Sequence, residues 1–377
     1  MRFGNQIRVA LVTALVVASM GWGPVGAGAK TASAAFGGAV TADATAKATA
    51  PATAETTVAV VPTITVAAVG DMCFASSVGS YVASHGPHAP FSAVRSLLTG
   101  ADVTVGNLEC ALSRRGSRVP GKAFTFEGPP RATQGLTWAG FDLVALANNH
   151  ARDYGAAALL DTVSNLDSAG IGHAGAGKNR SAAWRPAMIE RNGATIAYLS
   201  FCQIGPSDFA AGRSRAGTAY TLNLTQVKQA IRSARKQADY VIVAFHWGIE
   251  GSHGVTARQV RFGRAAIDNG ADLVLSHHPH VIEGVELYKH KLIAYSLGNF
   301  VFSPGSAAGH DTMVLSVTVT PKGVVTASAR PVHIGANGRP SPAKGSTARR
   351  ILGIIGKATR GRKTKTHVSK GTIYFSR

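Results

Sequence analysis

The sequence NGADLVLSHHPHVIEGVELY, residues 269–288, carries the clearest structural and chemical signal in this chain. A predicted helix over Ala257–Asn269 ends at a glycine, and Leu273–Leu275 then forms a short buried strand. The strand leads to His278 and His280, which we expect to splay to two sides of an extended segment stiffened by the intervening proline. This pattern predicts an α/β fold in which one strand delivers a pair of metal-ligating histidines.

Other segments have the same form, an apolar run that ends in a residue able to bind a hard or borderline metal ion. Open α/β sheets place their ligands at the carboxyl ends of strands, so these residues should meet at one edge. A dinuclear metal centre needs about six to eight oxygen and nitrogen donors from several strands. The further segments are VGD at 69–71, GNLE at 106–109, ANNH at 147–150, FHWGIE at 245–250 and SLGNF at 296–300.

Strand-like runs alternate with helical periodicity, which predicts a single α/β domain at residues 61–335, with two sheets face to face and helices outside. We assign Lys291–Ser296 and Thr312–Val319 together to the second sheet. The other predicted strands are Ile64–Val69, Asp102–Val105, Leu143–Ala147, Pro186–Glu190, Thr195–Phe201, Tyr240–Phe245, Val324–Val332 and Thr372–Phe375. The other predicted helices are Phe91–Leu98, Thr133–Ala139, Gly155–Ala169, Leu224–Lys236 and Ala348–Lys357.

The amino-terminal residues have the features of an export signal. Arg2 and Arg8 precede an apolar run from Val9 to Met20, and small-residue cleavage sites follow. We therefore expect residues 1–34 to be a signal peptide, or an anchor if it is not cleaved, and the protein to be exported and secreted or associated with the cell envelope. Residues 35–60 are rich in Ala and Thr, which is typical of a disordered linker.

The formal net charge is +20, and residues 339–377 contain 11 Lys and Arg but no Asp or Glu. A basic carboxyl-terminal extension at 336–377 on an exported protein favours anionic partners such as an acidic polymer, a membrane surface or the cell wall. The alternative is a solvated tail without a partner. We do not expect nucleic acid as a partner, because the chain has no nucleic-acid-binding motif and carries an export signal.

From Ile64 to about Pro331, these segments resemble the bacterial CapA family of poly-γ-glutamate biosynthesis, a branch of the calcineurin-like metallophosphoesterase fold. Further matching stretches are GFDLVALANNHARDYG at 140–155 and LIAYSLGNFVF at 292–302. The resemblance implies a two-sheet αββα sandwich and a centre with two divalent cations, such as Mn, Fe or Zn.

The resemblance also implies roles for single residues. One metal would be held by Asp71, Glu109 and His280, and the other by Glu109, Asn149, His246 and His278. Glu109 would then bridge the ions, with the amide oxygen of Asn107 as an alternative ligand.

Four further positions are predicted to lie beside the metal ligands without holding a metal. His150 would protonate the leaving oxygen, since the pKa of histidine lies near neutrality. The alternative for the Asn148-Asn149-His150 segment is a helix N-cap. Glu250 and Asn299 are candidates for contact with substrate, with orientation of a metal ligand as the alternative for Glu250. His277 is expected beside the ligands.

Related metallophosphoesterases have a histidine where this chain has Cys73. If Asp71 and Glu109 share a metal centre, Cys73 and Cys110 become neighbours, and an exported protein would tend to oxidise them to a disulfide, leaving Cys202 free. The alternative is that Cys73 is a thiolate ligand, which favours zinc. A redox function is disfavoured because the chain has no C-x-x-C motif.

The expected function is that of an exported metal-dependent hydrolase, acting on a phosphoester or an amide in the synthesis or processing of an anionic capsular or envelope polymer such as poly-γ-glutamate. A pair of cations would activate a water and polarise the bond to be cleaved. The alternative is a protein without enzymatic activity that binds or guides the polymer through the same fold.

Overall fold

The computed structural model describes residues 62–377, so the predicted signal peptide and the linker lie outside the described residues. The strands are β1 Ile64–Met72, β2 Val103–Leu108, β3 Ala111–Leu112, β4 Glu127–Gly128, β5 Leu143–Ala145, β6 Gly172–Ala174, β7 Ala176–Gly177, β8 Ala187–Arg191, β9 Ala194–Cys202, β10 Gly217–Thr218, β11 Tyr240–His246, β12 Leu273–His277, β13 Val285–Tyr288, β14 Lys291–Ala294, β15 Asp311–Thr320, β16 Gly323–Ile334, β17 Pro340–Pro342, β18 Lys365–Ser369 and β19 Thr372–Ser376. The helices are α1 Ser76–His85, α2 Arg95–Leu98, α3 Ala132–Ala139, α4 Gly155–Ser168, α5 Arg180–Trp184, α6 Leu224–Arg235, α7 Ala257–Asp268 and α8 Gly345–Thr359. Three short 3₁₀ helices cover Ala89–Phe91, Ser207–Phe209 and Ala307–His310.

Two mixed sheets form the centre of the described chain. The first has the order β18-β19-β16-β15-β1-β2-β5-β6, with β17 paired to β16, and the second has the order β13-β14-β12-β11-β9-β8. Each contains four neighbouring parallel strands, β1-β2-β5-β6 in the first and β14-β12-β11-β9 in the second. The carboxyl ends of two parallel sets are therefore available to build one site.

The layers are held together by three apolar clusters. One lies between the sheets and joins Val66 of β1 to Ile242 of β11. A second packs α1, α3 and α4 on the outer face of the first sheet, and a third packs α6 and α7 on the outer face of the second. The predicted αββα sandwich is therefore confirmed.

Helix α7, which precedes the histidine-bearing strand β12, begins at a capping box. The Thr256 hydroxyl accepts a hydrogen bond from the Gln259 amide, and the Gln259 side chain accepts one from the Thr256 amide. These bonds satisfy two amides that have no partner within the helix, which fixes where α7 begins. The turn after α7 then delivers β12 into the second sheet.

The basic carboxyl-terminal residues contribute β17, α8, β18 and β19 to this body. Helix α8 places Ile351, Leu352 and Ile355 in the cluster between the sheets, next to Ile373 and Phe375 of β19. The apolar residues recur on one side of the helix, so its opposite side carries the cationic residues.

Two sequence predictions of secondary structure are wrong in detail. Lys291–Ala294 pairs with β12 in the second sheet, whereas Asp311–Thr320 pairs with β1 in the first, so the two do not share a sheet. Residues 91–98 do not form one helix but a 3₁₀ turn followed by α2. Sheet membership depends on long-range pairing, which an apolar run does not encode.

Within residues 62–377, no helix has both the length and the apolar character needed to cross a membrane.

We expect Ile355→Ala to lower the free energy of unfolding by about 2–5 kcal/mol, because it opens a cavity in the core between the sheets. The exposed neighbour Lys357 provides a control, since Lys357→Ala removes side-chain atoms from the same helix without opening the core. Urea denaturation of both variants measures the difference. Equal stability of Ile355→Ala and Lys357→Ala would show that α8 does not pack as described.

Candidate metal centre

The carboxyl ends of the two parallel sets meet at one place. In the first sheet Asp71 of β1 lies beside Asn107 of β2, and in the second His246 of β11 lies beside His277 of β12. A bridge between Asp71 and Asn299 joins the first sheet to the segment that follows β14. Residues far apart in the chain are thereby brought into one cluster.

The joint between the sheets depends on a close backbone approach at Gly70. The Asp71 amide donates to the Gly298 carbonyl at 2.9 Å, and the Phe300 amide donates to the Asp71 carbonyl at 2.8 Å. A Cβ atom at position 70 would lie 1.9 Å from the Gly298 carbonyl oxygen. Only glycine fits there, which explains its place immediately before the aspartate.

One group of potential metal donors consists of Asp71, Glu109 and His280, with their ligand atoms all within 4.8 Å of one another. His280 Nδ1 lies 3.3 Å from Asp71 Oδ2, and His280 Nε2 lies 3.8 Å from Glu109 Oε1. Both carboxylates are fully buried, so their charge has little contact with water.

The second group consists of Glu109, His246 and His278, again within 4.8 Å. His246 Nε2 lies 3.4 Å from Glu109 Oε1 and 2.6 Å from Asn149 Oδ1, which places the predicted amide ligand beside this group. The structure therefore brings all six predicted metal ligands together, and Glu109 belongs to both groups.

The histidine pair at the end of β12 does not have the predicted extended backbone. His278 and His280 have φ values of 98° and 58°, and their ring centroids are 5.9 Å apart. Positive φ is costly for residues other than glycine and concentrates at functional sites. The segment is a sharp bend, which still directs the two imidazoles to different donor groups.

Burial and electrostatic interaction between neighbouring side chains strongly shift the pKa values of the ionisable groups in the centre. Burial alone would raise the pKa of Asp71, but the adjacent His277 and His280 hold that pKa well below its usual range. Burial and repulsion by Asp71 raise the pKa of Glu109. Burial would also lower the pKa of His280, yet attraction to Glu109 and Asp71 raises it to about 10.

Burial lowers the pKa of His246, and the neighbouring His278 lowers it further. Burial and the charge of His280 lower the pKa of His278 to about 4. These two imidazoles are therefore neutral near pH 7, which is the form that binds metals.

The residues present suit a divalent cation. Glu109 Oε1 and His278 Nδ1 are buried and have no hydrogen-bond partner among the described residues. An unpartnered buried carboxylate oxygen is costly unless a cation or a donor satisfies it. Carboxylate, amide and imidazole donors match the preferences of Mn, Fe and Zn.

Asparagine side chains hold the donors in place. Asn299 Oδ1 accepts from His280 Nδ1 at 2.8 Å, and its Nδ2 donates to the carbonyls of His280 and Gly309. Such partners fix the orientation of a ligand imidazole. The structure gives Asn299 this positioning contact, whereas the sequence suggested contact with substrate.

Asn107 lies between the two carboxylates. Its Nδ2 donates to Asp71 Oδ1 at 2.8 Å and to Glu109 Oε2 at 3.2 Å, while its oxygen accepts from Asn148 Nδ2 at 3.1 Å. Asn148 is not the N-cap of α4, which begins after Tyr154. Its Nδ2 donates to Asn107 Oδ1 and to the Leu108 carbonyl, and its Oδ1 accepts from the His150 amide at 3.1 Å.

A network that the sequence did not reveal surrounds His150. His150 Nδ1 lies 2.6 Å from Asp153 Oδ2 and 3.0 Å from Lys122 Nζ, and Lys122 also pairs with Asp153 and donates to the Asn149 carbonyl. Burial lowers the pKa of His150, although the hydrogen bond to Asp153 opposes the shift. The three-residue spacing of His150 and Asp153 could have indicated that they pair. Lys122 lies in an irregular loop, where no sequence pattern indicates its contact with His150.

Two other predicted positions lie at the edge of the centre. His277 is buried, with Nδ1 3.3 Å from Asp71 Oδ1, which agrees with its expected place beside the ligands. Glu250 is exposed in the turn that follows Gly248.

The predicted Cys73–Cys110 disulfide is not formed, since Cys73, Cys110 and Cys202 are all free and buried. The first two are nevertheless neighbours, because the Phe74 amide donates to Cys110 Sγ at 3.3 Å and Cys110 adds to the effect of burial in raising the pKa of Cys73. Both belong to the apolar cluster beneath α1, and among the described residues neither is part of a donor group. The thiolate alternative is therefore not supported.

Comparison with known proteins gives a consistent set of relatives. The family model described as bacterial capsule synthesis protein PGA_cap matches residues 65–304. The capsule biosynthesis protein CapA of Bacillus anthracis is 29% identical over 74% of this chain and 69% of that protein. The PGA biosynthesis protein CapA of Bacillus subtilis (strain 168) is 29% identical over 81% of this chain and 80% of that protein. A solved structure of a hypothetical protein from Thermus thermophilus aligns with TM-score 0.46 and 16% identity, covering 71% of this chain and 98% of that one.

We expect Gly70→Ala to lower the melting temperature strongly, because the new methyl group would overlap the Gly298 carbonyl oxygen. Gly353 in α8 has open space around its Cβ position, so Gly353→Ala should instead stabilise the protein by about 0.5–1 kcal/mol. Thermal denaturation followed by circular dichroism compares the two. A Gly70→Ala variant as stable as the parent protein would refute the close approach at the joint.

Proposed function

Because this chain belongs to the bacterial capsule synthesis protein PGA_cap family, we propose that it acts in the synthesis or processing of an anionic envelope polymer such as poly-γ-glutamate. It would do so as an exported hydrolase that depends on two divalent metal ions and cleaves a phosphoester or an amide. The observation that carries this proposal is the pair of buried donor groups that share Glu109. A carboxylate common to two groups suits a residue that bridges two cations.

The residues around the centre divide the remaining tasks. Two bound cations would supply Lewis acidity to the bond that is cleaved. His150 Nδ1 donates to Asp153 Oδ2 and lies 3.0 Å from Lys122 Nζ, which leaves Nε2 to exchange a proton with the substrate. The buried Asp153 carboxylate fixes the ring orientation, as the partners of catalytic histidines commonly do.

A second candidate function is binding or guiding of the polymer without hydrolysis. One observation favours it: the Asn107 amide occupies the position between Asp71 and Glu109 and donates to both, and an amide nitrogen cannot bind a cation. Cys73 also contributes no donor. Metal content and hydrolysis of an aryl phosphate distinguish the two functions.

The basic carboxyl-terminal region would contact an anionic membrane or cell-wall surface. Strand β18 is the edge of the first sheet, and its side chains are exposed, including Lys365. Lysine on an exposed edge also opposes pairing with a second chain. Contact with an anionic surface and opposition to edge pairing both need lysine charge that stays exposed to solvent. Such charge suits an exported protein at an acidic surface.

We expect His278→Ala and His280→Ala each to lower the amount of bound metal and any hydrolytic activity together, since each histidine belongs to a different donor group. Glu109→Ala should lower metal content further because it removes the residue that both groups share. Elemental analysis after equilibration with Mn²⁺ or Zn²⁺ measures the stoichiometry. His173, outside the centre, provides the control His173→Ala, and unchanged metal in both site histidine variants would overturn the assignment.

We expect His150→Asn to keep the fold and the bound metal but to slow hydrolysis by about 10²–10⁴-fold, the usual contribution of a general acid or base. Single-turnover rates over a range of pH should also lose the limb that reports the His150 proton. His173→Asn is the matched control. Loss of metal in His150→Asn would instead place this side chain among the ligands.

A further inference from the structure

A cavity of about 880 Å³ lies away from the metal donors, between α5 and α6. Three guanidinium groups border it, those of Arg180, Arg185 and Arg213, together with the side-chain amides of Gln226 and Gln229. No Asp or Glu is among the described residues that line it. The cavity is therefore a concentration of hydrogen-bond donors with positive charge.

No carboxylate of residues 62–377 forms an ion pair with the three arginines. Elsewhere in the chain, arginines pair with buried carboxylates, as in Arg264 with Glu286 at 2.7 Å and Arg350 with Asp311 at 2.7 Å. The charge of the three cavity arginines is therefore available to an external anion.

Two of the donors are already held in position. The Arg180 guanidinium lies 5.2 Å from the centroid of the Trp184 ring, and this ring packs at 5.3 Å against Phe201, which is fully buried. The Gln226 side-chain oxygen accepts from Thr221 Oγ1 at 3.2 Å, and its side-chain NH₂ group donates to no described residue. Donors that are fixed before binding lose less conformational entropy when a ligand arrives.

One loop connects the cavity to the metal centre. At Gly205 the loop touches Asn149, since a Cβ there would lie 2.7 Å from Asn149 Cβ. Further along the same loop, the Gly212 carbonyl accepts from the Arg180 amide at 2.7 Å. About seven extended residues span at most about 25 Å, so this is the greatest length of loop between the two places.

Two cationic side chains from other segments flank the middle of the loop, whose one charged residue between Gly205 and Gly212 is the exposed Asp208. Lys122 Nζ and Arg152 Cζ lie 5.7 Å and 5.4 Å from the centroid of the Phe209 ring, and Arg152 donates to the Asp208 carbonyl. Lys122 belongs to the network around His150 as well. Arg152 and Lys122 thus place positive charge beside the loop between the centre and the cavity, next to the carboxylate of Asp208.

We propose that the arginine-lined cavity is a second binding site for the carboxylates of an acidic polymer whose chain also reaches the metal centre. Arginine binds carboxylates through two parallel hydrogen bonds, which suits repeated side-chain acids better than a point charge does. Attachment at two places raises the affinity for a long chain far above that for a single unit. The choice of ligand rests on the proposed function.

The test measures binding of fluorescently labelled poly-γ-glutamate to the full chain by fluorescence anisotropy at fixed ionic strength. Replacing Arg180, Arg185 and Arg213 by Gln should raise Kd by about tenfold or more, since attachment at the cavity is lost. The matched control removes the same charge from exposed positions outside the cavity and outside the carboxyl-terminal region, through Arg261→Gln, Lys322→Gln and Arg330→Gln. Replacing the three cavity arginines by Lys keeps the charge and should still weaken binding.

Equal weakening by the cavity variant and the control variant would overturn the proposal, because binding would then follow net charge alone. Unchanged binding in the cavity variant would overturn it as well. Circular dichroism checks the fold of each variant, and the single exposed substitution Arg213→Gln repeats the test with the least disturbance. Metal analysis separates this proposal from the proposed function. If the protein binds no metal but the cavity variant still loses polymer binding, the hydrolase proposal is wrong and the cavity proposal is supported.

Discussion

The backbone joint between β1 and the segment Gly298–Val301 is the constraint on which the site depends. Each sheet supplies only part of the donor set, so the centre exists only where the two sheets touch. Three backbone hydrogen bonds make that contact, from Asp71 to Gly298, from Phe300 to Asp71 and from Cys73 to Val301. Because Gly70 has no Cβ, the two chains can approach closely enough for Asp71 and Asn299 to lie side by side.

The second constraint is electrostatic. Two buried carboxylates and four imidazoles share a small volume, and each alters the pKa of its neighbours. Such a cluster is costly to bury, and the bend at His278 and His280 adds backbone strain of about 1–3 kcal/mol per residue. A bound cation would satisfy the unpartnered oxygen of Glu109 and offset much of that cost. The arrangement is easier to explain as a metal centre than as a means of stabilising the fold.

One loop contacts both the candidate metal centre and the arginine cavity, so it lies between the proposed site of hydrolysis and the proposed polymer-binding site. A small substrate would need only the centre, whereas an acidic polymer could contact Lys122, Arg152 and the cavity along one path. The strong positive charge of the protein raises the local concentration of any polyanion, but it does not by itself select one. Selection would come from the fixed guanidiniums and from the length of chain that spans both places.

The sequence by itself predicted two facing sheets with helices outside, because strand-like apolar runs alternate with helical periodicity, and it placed candidate donors at strand ends. The resemblance to the CapA family then implied the six metal ligands. The sequence also identified Asp71 and Glu109 as neighbours of Cys73 and Cys110. Only the tertiary structure decided how these groups are used. It placed Asn299 on His280, brought Lys122 from an irregular loop to His150, left the thiols unbridged and put residues 291–294 in the second sheet rather than beside 311–320. These facts depend on strand pairing and side-chain contacts between residues far apart in the chain, and no local pattern encodes such contacts.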